Sequence, residues 1–179
     1  MTECFEQDLP DHLFYHNLSH TQSVVAHARE IGKFYKLDDH SCFTLLAAAW
    51  FHDIGYLYTI PEQHEYMSVS VMRSFLKGYC SPPTLKEIEG VILATRGAAH
   101  PVTLLERIIC DADTYHFGTE EFLITDQQVK KEVETKTGRE SPGWKTHTFH
   151  LLETHQFHTG YCMEKLNEGK KRNIAYLKQ

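Results

Sequence analysis

Residues 41–53 read Ser-Cys-Phe-Thr-Leu-Leu-Ala-Ala-Ala-Trp-Phe-His-Asp, and this stretch decides the fold class of the chain. It is rich in leucine, alanine and aromatic residues on every face, which is typical of a helix buried at the centre of a bundle. Asp38 and Asp39 can cap its first turn, and Gly55 follows its end, where a left-handed turn often needs glycine. The stretch therefore predicts a central helix that ends in a His-Asp pair.

The segments on either side also have helical periodicity, without a convincing alternating strand pattern. Further helices are predicted after Asn17 and over about 61–76, 85–95, 101–116, 120–136 and 144–166. No internal repeat or flexible linker interrupts them. We therefore predict a single all-α domain over residues 1–179, with a core of about 12–166, built as a bundle of about six to seven helices.

The composition is ordinary apart from its histidines. The 179 residues carry 18 basic and 24 acidic side chains, a formal net charge of −6. This balance argues against general binding of nucleic acids or anionic membranes, which needs a basic face. No apolar run approaches the roughly 20 residues of a membrane span.

Thirteen histidines are several times the usual number, and histidine is the commonest metal ligand and a proton donor near neutral pH.

The five cysteines, at positions 4, 42, 80, 110 and 162, form no Cys-x-x-Cys pair. Their odd number and their spacing indicate neither a disulfide framework nor a zinc knuckle. Reduced thiols are typical of a cytoplasmic protein, which is the location we expect.

Three short stretches carry the candidate chemistry: residues 15–20 (YHNLSH), 51–55 (FHDIG) and 111–113 (DAD). His20 begins one predicted helix, and the His-Asp pair of residues 52–53 ends the next. Antiparallel packing would bring these two ends together, and an aspartate late in a third helix would join them. Imidazole and carboxylate together suit Mn²⁺, Fe²⁺, Co²⁺ or Zn²⁺. The alternative, a capped helix end without a metal, is common for a lone His-Asp dipeptide.

The order of these motifs resembles the HD superfamily of metal-dependent phosphohydrolases. The resemblance is closest to a bacterial subgroup of predicted HD phosphohydrolases, and it covers most of the chain from Tyr15 onward. Four motifs occur in the subgroup's order, namely YHNxxH at 15–20, WFHDxGY at 50–56, HExxS at 64–68 and DADxxxxG at 111–118. The resemblance implies an HD-type helical bundle and a metal-dependent hydrolase.

The resemblance also implies that His20, His52 and Asp53 bind metal, with an aspartate of the third motif as the fourth ligand. In the family that ligand is the aspartate of an alanine-aspartate step, so the resemblance implies Asp113 as the first choice. Asp111 is the second choice, because on a helix it points about 200° from Asp113 and cannot easily bind the same ion. The implied cofactor is a divalent transition metal (Mn, Fe, Co, Ni or Zn), with Mg²⁺ as a further candidate, as one or two ions.

The YHNxxH motif is similar to that of class I cyclic-nucleotide phosphodiesterases, in which the first histidine protonates the leaving oxygen. This similarity implies that His16 is a catalytic acid; the alternative is a histidine bonded to backbone or solvent. Those enzymes have a further histidine soon after the His-Asp pair, where this chain has Tyr56-Leu57. A second ion would therefore need His64 or Glu65.

Two helix ends supply the remaining candidates. Glu65, near the start of the predicted helix that follows Asp53, is a candidate general base that binds a water, or merely an acid that complements a helix dipole. His64 and Arg96 are candidates for substrate binding, and the alternative for Arg96 is an exposed residue at a helix end.

The predicted function is metal-dependent hydrolysis of a phosphoester of a nucleotide or related small molecule, with a cyclic nucleotide as one candidate substrate. A silent nucleotide-binding sensor and an HD-fold di-iron oxygenase are the alternatives. The expected partner is a small phosphorylated molecule, with no general nucleic-acid binding and no membrane segment, and a homodimer is compatible with the sequence.

Overall fold

The computed structural model describes residues 13–59, 63–97 and 100–179, in which eight α-helices occur. They are α1 (Leu18–Phe34), α2 (Asp39–Phe51), α3 (His64–Leu76), α4 (Pro82–Leu93), α5 (Leu104–Asp113), α6 (Phe122–Thr137), α7 (Trp144–Thr154) and α8 (Gly160–Leu177). Short 3-10 helices cover Ile54–Leu57 and Tyr115–Gly118. These described residues contain no β-strand, so the all-α prediction is confirmed, with eight α-helices instead of six to seven.

Helix α2 lies at the centre of the bundle, as its composition predicts. It contacts α1, α3, α4 and α5, and Leu45, Ala48 and Phe51 are almost completely buried. Asp38 caps it by accepting a hydrogen bond from the backbone N–H of Ser41 at 2.7 Å. Its first turns are more open to solvent, and Phe43 there is 47% exposed. The central position of α2 places its C-terminal end deep in the bundle.

The predicted last helix is wrong in extent, because residues 144–166 contain two helices. The chain leaves helical geometry after Thr154, and Thr159 caps α8 by accepting from the N–H of Cys162. Helix α8 then continues to Leu177, whose side chain belongs to the core. Neither Gly nor Pro marks the break before residue 160, so the helical periodicity on both sides concealed it.

Close backbone contact explains two of the glycines. A Cβ atom on Gly55 would lie 2.0 Å from the carbonyl oxygen of His64. Gly55 is not in the left-handed region, which Gly78 and Gly138 adopt, so the predicted reason for a glycine at this position is wrong. A Cβ atom on Gly169 would similarly lie 1.8 Å from the carbonyl oxygen of Gly118, where α8 packs on the second 3-10 helix.

Three predictions concern residues that the structure does not describe: the reduced thiol of Cys4, the start of a helix at about Pro61, and the limit of the core near residue 12. Cys42, Cys80, Cys110 and Cys162 are free thiols. None of the helices in the described ranges is long and apolar enough to cross a membrane.

Candidate metal centre

Three helices bring four histidine and aspartate side chains to one point. His20 lies in the first turn of α1, which Asn17 caps by accepting from the N–H groups of residues 19 and 20. His52 directly follows α2, Asp53 is the next residue, and Asp113 ends α5. Because α1 packs against both α2 and α5, one ligand atom from each of these four residues lies within 4.8 Å of the others.

The two imidazoles point their Nε2 atoms at the two carboxylates. His20 Nε2 lies 3.2 Å from Asp53 Oδ2 and 3.1 Å from Asp113 Oδ1, and the corresponding distances for His52 Nε2 are 3.2 and 3.6 Å. Both Nε2 atoms are buried, and neither has a contact of hydrogen-bond geometry among the described residues. Two imidazole nitrogens and two carboxylate oxygens that converge without such bonds form a donor set that fits a divalent transition metal.

The backbone of α2 selects the nitrogen that His52 presents. Its Nδ1 atom lies 2.9 Å from the carbonyl oxygen of Ala49, which can only accept a hydrogen bond. Nδ1 therefore carries the proton, and in the neutral ring the lone pair is on Nε2, which faces the carboxylates. A turn of helix thus orients this histidine as a metal ligand requires.

The electrostatics of the four groups are mutually dependent. Burial lowers the pKa of His52, but the charge of Asp53 and the contact with Asp113 outweigh it and raise the pKa well above its usual value. Burial raises the pKa of Asp53, but His52 and His20 outweigh it and lower the pKa. The two carboxylates therefore stay ionised beside a positive charge, whether this is carried by protons or by a metal ion.

His64 and Glu65 extend the centre on the other side of Asp53. His64 Nε2 lies 3.4 Å from Asp53 Oδ1, and its Nδ1 lies 3.5 Å from Glu65 Oε2. The close approach of Gly55 to His64 holds the start of α3 in this position. Glu65 is buried and lies behind His64, so the three side chains form a line that ends at the carboxylate of Asp53.

His16 lies beside the centre in a stack of rings. It packs face to face on Tyr56 at 3.9 Å, and Tyr56 packs in turn on His64 at 4.1 Å. The ring centroids of His16 and His20 are 5.9 Å apart. A carboxylate also reaches the His16 ring: Oε1 of Glu132, on α6, lies 2.5 Å from Nδ1.

Glu132 is a site residue that no sequence motif marks. It is 5% exposed, and its Oε2 accepts from the backbone N–H groups of Tyr15 and His16 at 2.9 and 3.1 Å. Burial raises the pKa of Glu132, but the hydrogen bonds from His16 and the backbone outweigh it and lower the pKa. A single glutamate in a polar helix carries no sequence signal that separates it from its solvent-exposed neighbours.

Asp111 and Asp113 face different parts of the molecule, although one residue separates them. Asp111 is buried and accepts hydrogen bonds from the N–H groups of His158 and Thr159 and from the hydroxyl of Thr159. It therefore ties α5 to the break before α8. The structure places Asp113 in the cluster and Asp111 outside it, and the role of Asp113 as a metal ligand stays a prediction.

Arg96 is not brought to the cluster. Its guanidinium donates to the hydroxyl of Tyr66 at 2.8 Å and lies 4.8 Å from the centroid of that ring, on the surface. Its role in substrate binding stays a prediction.

Two cavities border the centre on its more open side, where the side chain of Asp113 is 26% exposed. One, of about 340 Å³, lies between α1 and α6 and has walls that are about equally polar and apolar. The other, of about 210 Å³, is lined largely by aromatic and aliphatic side chains. Tyr15 and His116 line both cavities, and their side chains are in contact at 3.2 Å.

Comparison with known protein families gives one match. The HD domain family matches residues 17–118, which include all four clustered side chains. Curated proteins and solved structures gave no match.

Proposed function

The chain belongs to the HD domain family, and from this premise we propose that it is a metal-dependent phosphohydrolase acting on a nucleotide or related small phosphoester. One observation carries the proposal: four ligand atoms from three helices lie within 4.8 Å of one another, and two of them are buried imidazole nitrogens without a hydrogen bond among the described residues. Buried polar atoms are rarely left in that state unless a ligand or ion completes them.

We assign His20, His52, Asp53 and Asp113 as the metal ligands. The mixed nitrogen and oxygen set suits Mn²⁺, Fe²⁺, Co²⁺, Ni²⁺ or Zn²⁺, with Mg²⁺ as a further candidate at an oxygen-rich position. When bound, a divalent cation supplies a water of lowered pKa and positive charge for the phosphate oxygens. Asp53 faces His20 with one oxygen and His64 with the other, which makes His64 the candidate ligand of a second ion.

His16 is the proposed acid that protonates the leaving oxygen. The carboxylate of Glu132 contacts Nδ1 of the His16 ring, and stacking on Tyr56 fixes the plane of that ring. The contact with Glu132 occupies Nδ1 and leaves Nε2 as the ring nitrogen that can face the leaving oxygen. His16 can therefore donate a proton close to the metal centre, because its ring centroid lies 5.9 Å from that of His20.

Glu65 acts in this proposal through His64. The Glu65 carboxylate lies beside Nδ1 of His64, whose Nε2 faces Asp53. This arrangement orients the imidazole and lets it bind a substrate oxygen or take a proton from water. The assignment to a nucleotide rests on the similarity of residues 15–20 to the cyclic-nucleotide phosphodiesterase motif.

The test combines elemental analysis with a phosphoester panel. Protein loaded with Mn²⁺, Co²⁺ or Zn²⁺ is assayed with cyclic mononucleotides, nucleoside monophosphates, deoxynucleoside triphosphates and a chromogenic diester. We expect one or two bound ions per chain and turnover that is lost in Asp53→Ala but kept in Asp39→Ala, an exposed aspartate of α2. Bound metal without turnover would favour a sensor, and bound iron with dioxygen consumption would favour an oxygenase.

A further inference from the structure

The larger cavity beside the metal centre has the size of a small-molecule site. Its volume of about 340 Å³ lies within the range of roughly 300–1,000 Å³ for such sites, whereas the second cavity, at about 210 Å³, lies below it. The larger cavity begins at His20 and Asp113 and extends between α1 and α6. It is therefore the space open to the non-reacting part of a substrate whose phosphate is at the metal centre.

The walls of this cavity carry uncharged hydrogen-bonding groups. Ser19 and Ser23 come from α1, and Thr125 and Gln128 come from α6. The side chains of Ser23 and Gln128 form no hydrogen bond with another described residue, so both are available to a ligand. Ligand pockets are usually mostly apolar with few polar groups, and a wall this rich in hydroxyl and amide groups favours a ligand with many hydroxyl or amide groups of its own.

The described part of these walls offers no cationic side chain to a second phosphate. Among the described residues that line the cavity, none is lysine or arginine, and Glu121 is the carboxylate that lies outside the metal centre. Burial lowers the pKa of His27, which keeps this lining ring neutral near pH 7. Phosphate groups are normally held by arginine, lysine, helix N-termini or metal ions. The start of α1 also lines the cavity, but the side chain of Asn17 already accepts from its first N–H groups. The start of α6 carries the carboxylate of Glu121, which would repel a second phosphate.

We infer that the substrate is a phosphoester of an uncharged, polyhydroxylated alcohol, of the nucleoside or sugar class, with no second phosphate. This inference rests on the proposed phosphohydrolase function for the position of the phosphate, and on the cavity walls for the rest of the molecule. Nucleoside diphosphates, nucleoside triphosphates and sugar bisphosphates are excluded as preferred substrates.

The first experiment is calorimetric binding to Mn²⁺-loaded wild-type protein. The ligands are a nucleoside monophosphate, its diphosphate, a hexose monophosphate and the matching bisphosphate. Of the two monophosphates, we expect the one that binds more tightly to exceed its own doubly phosphorylated counterpart by at least about tenfold in affinity. Whether that monophosphate is the nucleotide or the hexose phosphate identifies the alcohol as a nucleoside or a sugar. Equal or tighter binding of both doubly phosphorylated compounds overturns the inference.

The second experiment places a positive charge in the cavity. Glu121→Lys changes a lining residue, and Glu120→Lys makes the same change of net charge at the adjacent exposed residue, which does not line the cavity. Glu121→Lys should improve binding of the diphosphate relative to the monophosphate by about three- to tenfold, as expected for a partly exposed charge. The ratio should stay at the wild-type value in Glu120→Lys, and an equal change in both variants contradicts the inference.

Hydrolysis of a small aryl phosphate separates this inference from the proposed function. The aryl ester needs the metal centre but few of the polar wall contacts, so Gln128→Leu should lower the kcat/KM of the preferred monophosphate more than that of the aryl ester. Turnover of polyphosphates as fast as monophosphates overturns the inference and leaves the phosphohydrolase. Selective binding of monophosphates without any turnover overturns the phosphohydrolase and supports the cavity assignment.

Discussion

The Nδ1 atom of His16 lies 2.5 Å from Oε1 of Glu132, although 116 residues separate them along the chain. The other oxygen of Glu132 accepts from the two backbone N–H groups that lead into His16. One buried carboxylate therefore fixes both the backbone and the ring of the proposed proton donor. It lies on α6, beyond the matched family region of residues 17–118.

Replacement of this carboxylate should impair proton delivery. Glu132→Gln keeps the size of the side chain but replaces the carboxylate that contacts Nδ1 of His16 and the two backbone N–H groups before it. The ring should then be less firmly positioned, so we expect kcat to fall by about tenfold or more with a smaller change in KM. Glu120→Gln, at an exposed position, is the matched control.

A double-mutant cycle checks that Glu132 acts through His16. If it does, the effect of Glu132→Ala on kcat should largely disappear in a His16→Ala background. Additive losses in the double variant would mean that the two residues act independently.

The two neighbouring aspartates of α5 should give opposite results. Asp113→Asn should reduce metal content below one ion per chain, because it removes one of the four clustered ligand atoms. Asp111→Asn should retain metal but lower the free energy of unfolding by about 2 kcal/mol, because Asp111 accepts three hydrogen bonds at the break before α8. Elemental analysis and urea unfolding measure both quantities, and the reverse pattern would assign Asp111 as the ligand.

Metal removal should lower thermal stability. A ligand that binds only the folded state raises stability in proportion to the logarithm of its free concentration, so Mn²⁺ or Zn²⁺ should raise the Tm of the wild type and a chelator should reverse this. The increase should be absent in Asp53→Ala, which lacks a central ligand, and present in Asp39→Ala. An equal increase in both variants would place the ion elsewhere.

Glu30 should make a pH-dependent contribution to stability. Burial raises its pKa, but the contacts with Lys165, Tyr161 and Tyr115 outweigh this and lower it from 4.5 to about 2. A carboxyl group whose pKa is lower in the folded than in the unfolded protein stabilises the folded state at pH values above its unfolded pKa. The contribution of Glu30 is therefore complete above about pH 4.5 and disappears as the pH falls toward 2. Because the Glu30 side chain is 40% exposed, we expect less than about 1 kcal/mol.

Urea unfolding of the wild type and Glu30→Gln at pH 3, 5 and 7 measures this contribution. The difference between the two proteins should be largest at pH 5 to 7 and smaller at pH 3 and in high salt. A difference that increases on acidification would contradict the assigned direction of the pKa change.

Two glycines provide a matched pair for packing. Gly169→Ala would place a Cβ atom 1.8 Å from the carbonyl oxygen of Gly118, so helix α8 must move and we expect a loss of about 2–4 kcal/mol in unfolding free energy. A Cβ atom on Gly90 of α4 would meet nothing within 4 Å outside its own helix, and Gly90→Ala should gain roughly 0.5–1 kcal/mol from helix propensity. Equal effects at both sites would exclude the close backbone contact as the cause.

The sequence alone determined the fold class and most of the candidate centre. The apolar stretch at 41–53 indicates a central helix because helical periodicity and capping depend only on residues a few positions apart. His20, His52, Asp53 and Asp113 carry motifs that are recognisable in order along the chain, and the structure brings these four together. Local signals and motif order were sufficient for both results.

Only the tertiary structure decided the features that depend on residues distant in sequence. The contact of Glu132 with His16 requires α6 to pack beside the start of α1, and the separate environments of Asp111 and Asp113 depend on the break before Thr159. The need for glycine at Gly55 comes from the backbone of His64 and not from the local turn. Each depends on which surfaces meet after folding, and local periodicity contains no information about such long-range contacts.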